Sequence, residues 1–156
     1  MAKSISISLK IEGMDDLLRK MNKVEGGKYM LPALKAGGER VRDQAGKYPP
    51  STSANDPSQS RWYERNYGPK WRTADGSVKG KKTSQSLGKK WYVKPSKDDV
   101  TVGNTATYAP YVHGDKLQAK WMGKIGWKLL GKTALDQADE ILKDIEAAFF
   151  QMWDRG

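Results

Sequence analysis

Apolar and polar side chains alternate strictly over residues 4–11, close to the amino terminus. This alternation predicts a strand with one buried face, because successive side chains of a strand point to opposite sides. After Gly13, apolar side chains recur at every third or fourth position, which predicts a short helix over residues 14–24. The same spacing, with Pro32 in a first turn where proline is tolerated, predicts a second helix over residues 30–47.

Two adjacent glycines lie inside the second predicted helix. Gly37 and Gly38 each cost about 1 kcal/mol of helix stability relative to alanine. A close crossing with another helix or strand would explain why the chain carries them. Pro49 and Pro50 then end the helix, since proline donates no backbone hydrogen bond and its ring clashes with the preceding turn.

Two short apolar runs separated by a polar turn predict an antiparallel hairpin. Its strands are placed at residues 88–95 and 99–105, on either side of the turn Ser96–Asp99. Residues 108–113 are predicted to be extended, because Pro110 biases the residue before it away from helix. Such a segment would suit the edge of the sheet or a contact between subunits.

The carboxyl-terminal part of the chain has the most regular helical pattern. Thr133 is the predicted N-cap, with Asp136 three residues later, and the helix is predicted to run to about Asp154. Its apolar stripe is expected to pack against the sheet, with a coiled coil between subunits as the alternative. The stripe consists of Leu135, Ala138, Leu142, Ile145, Phe149 and Met152, widened by Ile141, Ala148 and Trp153.

Residues 51–82 are rich in Ser, Asn, Pro, Gly and Lys and show neither a strand nor a helix period. Long unpatterned connections in compact domains are usually functional or disordered, but aromatic side chains at this density normally pack on a surface. We therefore predict an extended basic aromatic arm within a single domain of residues 1–156. The predicted fold class is α+β, a small antiparallel sheet packed with N-terminal helices and a long C-terminal amphipathic helix.

The sequence offers little for catalysis or metal binding. It has no cysteine, so disulfides and thiolate metal sites are excluded. His113 is the only histidine and has no acidic cluster beside it beyond Asp115, so a turn or interface position is expected for it. The adjacent Asp98 and Asp99 would point to opposite faces of a strand, which makes them poor acid–base partners. We therefore expect no enzyme activity, no metal and no cofactor.

Aromatic composition and hydropathy bear on location. Six tryptophans and seven tyrosines stand against two phenylalanines. Because amphipathic aromatic side chains favour partly hydrated positions, either subunit interfaces or scattered surface sites would account for them.

No segment approaches about 18 continuous apolar residues, and no apolar run precedes a cleavage site. We therefore expect no membrane association and a cytosolic protein until assembly.

Charge is unevenly distributed along the chain, whose formal net charge is +10. Residues 47–97 contain 12 basic and 3 acidic side chains, whereas residues 135–156 contain 2 and 6. These oppositely charged regions could contact one another head to tail in a ring of subunits, since surfaces of complementary charge steer association. The basic region could instead contact nucleic acid through phosphates, or be a solvated loop kept soluble by its lysines.

Five motifs follow one another along the chain: GMDDLLRKM, RVRDQAGKYPP, TSQSLGKKW, VTVGNTATYAPYVHGD and QAKWMGKIGW. In this order they resemble the phage virion-morphogenesis family, the neck or tail-completion proteins of long-tailed phages that are grouped with Z-like minor tail proteins. The resemblance covers most of the chain, and its most specific parts are YAPYV with the following Gly-Asp, and Lys124–Trp127. Residues 83–87 depart from the family pattern, because many relatives have Thr-Gly-x-Leu where this chain has Thr-Ser-Gln-Ser-Leu.

The resemblance implies a structural virion protein in the neck, which would form a homo-oligomeric ring that joins the head to the tail and completes the tail end. It favours a six-fold ring, with a twelve-fold ring as the alternative. Implied partners are head-closure or connector proteins and tail terminator or tail tube proteins, with non-specific contact to packaged DNA as a further option. The implied location is the virion, and the host cytoplasm during assembly.

Two other functional classes remain open on the sequence alone. One is a basic nucleic-acid-binding module, because aromatic and basic residues are interleaved in the arm. The other is a hydrolase or toxin-like enzyme, which would need a catalytic constellation that the sequence does not display. Contacts with other subunits or partners are predicted for Tyr108, Pro110, Tyr111, Val112, Trp121, Trp127, Arg61, Trp62, Tyr63, Tyr67, Trp71 and Arg72.

Overall fold

The computed structural model describes residues 4–10, 12, 23–64, 68–81, 87–96 and 99–154. This part of the chain forms four helices and two three-stranded antiparallel sheets, which confirms the predicted α+β class. The predicted helix over residues 14–24 lies almost entirely outside it. The strands are β1 (Ile5–Lys10), β2 (Arg61–Glu64), β3 (Gly68–Arg72), β4 (Val78–Gly80), β5 (Trp91–Pro95) and β6 (Asp99–Asn104). The helices are α1 (Lys23–Ala45), α2 (Ala109–His113), α3 (Lys120–Lys124) and α4 (Leu130–Trp153).

The first sheet has the strand order β1-β6-β5, so its central strand is the second arm of the predicted hairpin. Val102 on this strand lies opposite both Ile7 and Val93. Val100 and Val102 are completely buried, because alternate residues of the central strand face the helices. The predicted amino-terminal strand and the hairpin are both confirmed, although β5 begins only at Trp91.

Helix α1 packs against both the first sheet and α4, and two glycines permit these approaches. At Gly37, a Cβ atom would lie 2.8 Å from Cγ2 of Ile141 on α4. At Gly38, a Cβ atom would lie 2.7 Å from Cγ1 of Val100 on β6. Real Cβ atoms essentially never make contacts this short, so a larger residue at either position would force a shift. The close crossing predicted from the glycine pair is therefore confirmed, in a helix that begins earlier than the predicted residue 30.

The buried side of α4 differs from the predicted stripe. Ile141 and Ile145 are each only 6% exposed, whereas Leu135 and Leu142 are 77% and 49% exposed. The predicted burial of Leu135 and Leu142 is therefore wrong. Both sets of residues have helical spacing, and the close contact of Ile141 with α1 selects which set is buried.

Two predictions about helix starts are also wrong. Helix α4 begins at Leu130, and Thr133 lies inside its first turns, where its hydroxyl donates to the Leu129 carbonyl at 2.7 Å. Residues 108–113 are not extended, because α2 occupies most of this segment. Pro110 lies in the first turn of α2, where a missing N–H costs no hydrogen bond.

The second sheet corrects the prediction of an unpatterned arm at residues 51–82. Its strand order is β2-β3-β4, and Trp62 on β2 lies opposite Lys70 on β3. The turn before β4 is closed by Asp75, whose carboxylate accepts the N–H of Ser77 at 3.1 Å. The three strands contain only 4, 5 and 3 residues, which is too short for an alternating pattern to be visible in the sequence.

We expect Gly37→Ala to destabilise the protein by roughly 1–3 kcal/mol, because the new Cβ would overlap Ile141 in a packed interior. In an Ile141→Ala background, the same substitution should be neutral or slightly stabilising, since the overlap is gone and alanine favours helix. Urea denaturation of the four proteins measures this coupling. As a control, Ala36→Gly on the exposed side of α1 should cost about 1 kcal/mol in both backgrounds. An equal effect of Gly37→Ala in both backgrounds would contradict the close approach.

Ile141→Asp and Leu142→Asp form a matched pair at adjacent positions of α4. We expect Ile141→Asp to cost roughly 4 kcal/mol or more, because it places an unpaired carboxylate in the core. Leu142→Asp should cost about 1 kcal/mol or less, since half of this side chain is exposed. Chemical denaturation of both variants compares the two free energies of unfolding. Similar losses would show that the buried side of α4 is misassigned.

Candidate functional site

The YAPYVHGD and KIGW motifs meet in an aromatic cluster between the two sheets, formed by Tyr48, Tyr63, Trp91, His113 and Trp127. The ring centroid of Trp127 lies 4.9 Å from that of Tyr63 and 5.6 Å from that of Tyr48. His113 lies 5.1 Å from Trp127 and 5.2 Å from Trp91. Because Trp91 belongs to β5 and Tyr63 to β2, these contacts join the first sheet to the second. Each such pair contributes about 0.5–1.5 kcal/mol beyond the area that it buries.

The local sequence turns Trp127 back into the aromatic cluster. Gly126, just after α3, has a φ angle of +103°, a left-handed conformation that glycine adopts without steric penalty. The side-chain amide of Gln118 donates to the carbonyls of Val112 at 2.8 Å and of Trp127 at 2.9 Å. One amide therefore holds the end of α2 against the turn that follows α3, and the Lys124–Trp127 motif acts as a structural turn.

His113 is completely buried in the aromatic cluster, so the expected turn or interface position is wrong. Its Nδ1–H donates to the Lys128 carbonyl at 2.8 Å, which fixes the neutral tautomer. Burial lowers the pKa of His113 to about 4, although the hydrogen bond to Lys128 acts in the opposite direction. Nε2 of His113 and Nε1 of Trp127 are buried without a hydrogen-bond partner among the described residues. At neutral pH, His113 is thus an uncharged packing residue.

Two buried asparagines hold neighbouring segments in place, and the sequence pattern did not reveal them. Asn55 accepts the N–H of Tyr63 at 2.5 Å and donates to the Tyr63 carbonyl at 3.2 Å. Asn104 donates to the Leu87 carbonyl at 2.8 Å and accepts the N–H of Ala106 at 2.9 Å. Buried amides need such partners, because an unsatisfied group costs about 1–3 kcal/mol. Polar residues in irregular segments have no periodicity from which this role could be predicted.

The residues predicted to contact other subunits or partners fall into two structural groups. One group is buried inside the chain, where the side chains pack against the core and are not exposed to a partner. The buried group consists of Pro110, Val112, Trp127, Trp62 and Tyr63. The exposed or half-buried group consists of Tyr108, Tyr111, Trp121, Arg61, Trp71 and Arg72. Tyr67 lies outside the described residues.

Part of the exposed group borders a groove of about 320 Å³ between the second sheet and α3. Lys70 within it lies 3.9 Å from the carboxylate of Glu64, while Arg61 and Lys81 form no ion pair in the part of the chain that the structure describes. Cations beside indole rings suit a partner that combines negative charge with an aromatic or apolar group. We call this site the basic groove, and its lining consists of Arg61, Pro69, Lys70, Trp71, Lys81 and Trp121.

Apolar side chains on one side of helix α4 are exposed in the part of the chain that the structure describes. Leu135 and Leu142 line a groove of about 510 Å³ between β1 and α4, and Phe150 and Trp153 near the end of α4 are 61% and 66% exposed. Acidic residues flank these side chains at helical spacing. Exposed apolar patches with a polar rim commonly mark interaction sites. We call this surface the acidic face of α4, and it consists of Leu135, Asp139, Leu142, Glu146, Phe150 and Trp153.

Three further properties bear on function: metal binding, membrane insertion and similarity to known proteins. Within the described residues, no group of three His, Cys, Asp or Glu side chains could hold a metal ion. None of the described helices combines the length and the apolar composition that spanning a bilayer requires. Comparison with protein-family models, with curated proteins and with solved structures finds no match to this chain. The basic groove and the acidic face of α4 are therefore the described features that bear most directly on function.

Lowering the pH from about 6.5 to about 4 should destabilise the protein by about 3 kcal/mol through His113 alone. In this interval the unfolded chain binds a proton at His113, where the histidine has its ordinary pKa of 6.5, while the folded chain does not, because burial lowers that pKa to about 4. The unfolded state thus gains protons first and becomes relatively more stable. Below about pH 4 both states are protonated, and this contribution no longer changes.

His113→Asn is the matched variant for this measurement. Its side-chain amide can still donate to the Lys128 carbonyl, but it cannot be protonated. Urea denaturation of both proteins at pH 4, 5, 6 and 7 should show a smaller loss of stability on acidification in the variant. The difference between the two profiles isolates the histidine from the carboxylates that titrate in the same range. Parallel profiles would contradict a buried neutral histidine.

Proposed function

We propose that this chain is a structural protein of a phage neck, which forms a homo-oligomeric ring that joins the head to the tail and completes the tail end. The observation that carries the proposal is a pair of uncovered surfaces of opposite charge on one subunit, the basic groove and the acidic face of α4. A subunit with two different complementary surfaces can repeat its contact until a ring closes. The resemblance of the sequence motifs to virion-morphogenesis proteins supports the phage neck as the setting.

The arrangement of the motifs is consistent with a role in assembly. Four of them contribute Tyr48, Trp91, His113 and Trp127 to the aromatic cluster, which joins the second sheet to the first through Tyr63. Both exposed surfaces therefore belong to one packed subunit. The role is structural rather than catalytic, and it takes place in the virion after assembly in the host cytoplasm. We expect a six-fold ring, with twelve-fold as the alternative, whose partners are connector or head-closure proteins and tail terminator or tail tube proteins.

A second candidate function is nucleic-acid binding, because a specific observation favours it. Trp71 and Trp121 line the basic groove beside Arg61, Lys70 and Lys81. Half-exposed indole rings next to cations provide stacking and phosphate contacts for single strands. Salt-dependent binding of DNA by the isolated monomer, without ring formation, would favour this function over the neck protein.

The proposal is tested by the mass of the purified protein, alone and mixed with tail tubes or DNA-filled heads. We expect a ring of six copies of the 17.5 kDa chain, and joining of heads to tails only when the protein is present. Tyr111→Ala combined with Trp121→Ala should leave the monomer folded, since neither side chain is fully buried, but should give tailless heads and free tails. Normal virions from this double variant, or a hydrolytic activity that it loses, would contradict the proposal.

A further inference from the structure

We infer that the carboxyl-terminal half of α4, with its acidic face, docks in the basic groove of a second copy of this chain. This inference rests on the proposed function, because it names the contact between neighbouring subunits of the ring. The two surfaces lie on different parts of the subunit. Helix α4 packs with α1 and the first sheet, whereas the groove is formed by the second sheet and α3. The contact is therefore head to tail, and each subunit uses both surfaces once.

The α4 side of the contact offers aromatic rings beside carboxylates. Phe150 and Trp153 are mostly exposed, and Glu146 lies one and two turns before them on the same helix. Neither Asp139 nor Glu146 forms an ion pair within the described residues, whereas Asp144, on the other side of α4, pairs with Arg40 at 2.7 Å. Phe149 contacts both rings from within the same helix, but most of each ring, and the carboxylates of Asp139 and Glu146, remain exposed on the described part of the chain.

The groove side offers the complementary groups. Arg61 and Lys81 are exposed cations, and the half-buried rings of Trp71 and Trp121 form an apolar lining between them. A volume of about 320 Å³ lies at the lower end of the range of binding pockets, which suits one or two side chains from a helix. Aromatic anchors in a pocket usually carry most of the energy of an interface, while charged pairs at the rim set its orientation.

The same groups argue against pairing of α4 with α4 from another subunit. In such a pair, Asp139 and Glu146 of both copies would face one another, and like charges in a contact are unfavourable. A partner of opposite charge is required, and the basic groove is present on every copy. A stable contact usually buries about 800 Å² per partner, so the helix end and groove form its centre and adjacent surfaces form its rim.

Two double variants test the inference, and each changes the charge of one of the two surfaces. Phe150→Lys with Trp153→Lys places two positive charges on the acidic face, and Ala147→Lys with Gln151→Lys is its control on another side of the same helix. Arg61→Glu with Lys81→Glu reverses the charge of the groove, and Lys89→Glu with Lys94→Glu is its control elsewhere on the exposed surface. All eight positions are exposed, so melting temperatures should stay within a few degrees of the wild type.

Light scattering of the purified proteins gives the readout. We expect each test variant alone to be monomeric, both controls to form the wild-type ring, and an equimolar mixture of the two test variants to form a dimer. The dimer is the decisive species, because each variant retains one intact surface and only one contact can form. High salt should weaken this dimer. Phe150→Ser with Trp153→Ser removes the same two rings without adding charge, and it should behave like the lysine variant. It tests whether loss of the rings, and not only the added charge, prevents assembly.

Other outcomes would overturn the inference. A mixture that stays monomeric, or assembly disturbed only by the α4 variant, would indicate a different contact. Intact rings from the groove variant together with lost binding of a single-stranded oligonucleotide would assign the basic groove to nucleic acid. A wild-type ring that neither variant disturbs contradicts this inference alone. A wild type that is monomeric both alone and with tail tubes contradicts the proposed function itself.

Discussion

The simultaneous packing of α1 against α4 and against the first sheet is the constraint on which the rest of the structure depends. Gly37 and Gly38 remove side chains where both neighbours approach, and Ile141 occupies the space that Gly37 leaves. This contact sets the rotation of α4 about its own axis. Because Ile141 and Ile145 turn inward, Leu135 and Leu142 turn outward with the carboxylates beside them. The outward position of the acidic face therefore follows from the contact of Gly37 with Ile141, a residue distant from it in the sequence.

The aromatic cluster holds the second sheet against the rest of the chain, as the close contact at Gly38 holds the first sheet against α1. Short strands bury little area and are marginal alone, so they need a larger body to pack on. Tyr63 supplies that contact by placing its ring against Trp127 and Tyr48. The left-handed turn at Gly126 brings Trp127 into reach. The basic groove and the acidic face of α4 are consequently held in one folded chain by side chains that belong to neither surface.

The amino-terminal strand, the hairpin and the final helix could be predicted because their apolar positions alternate, bracket a polar turn or recur at helical spacing. The rotation of α4 about its axis could not be predicted. Two overlapping sets of apolar residues have helical spacing, and only the contact with α1 decides which set is buried. Pro110 suits a helix start as well as an extended segment. At the candidate site, basic and aromatic composition pointed to Arg61 and Trp71, and the family-like motif pointed to Trp121. The motif also contained Trp127. Neither signal could separate the exposed residues from Trp127, because burial of a tryptophan depends on contacts distant in the sequence.

The two hydrogen bonds between Asn55 and the backbone of Tyr63 have a consequence for unwanted association. Strand β2 is an edge of the second sheet, and an open edge can accept a strand from another molecule. The N–H and carbonyl of Tyr63 point away from β3, and both form hydrogen bonds with the Asn55 side chain. This side chain therefore lies where an added strand would pair. The sheet is thereby closed to extension at this point. At this edge, two copies of the chain therefore cannot polymerise by pairing their backbones.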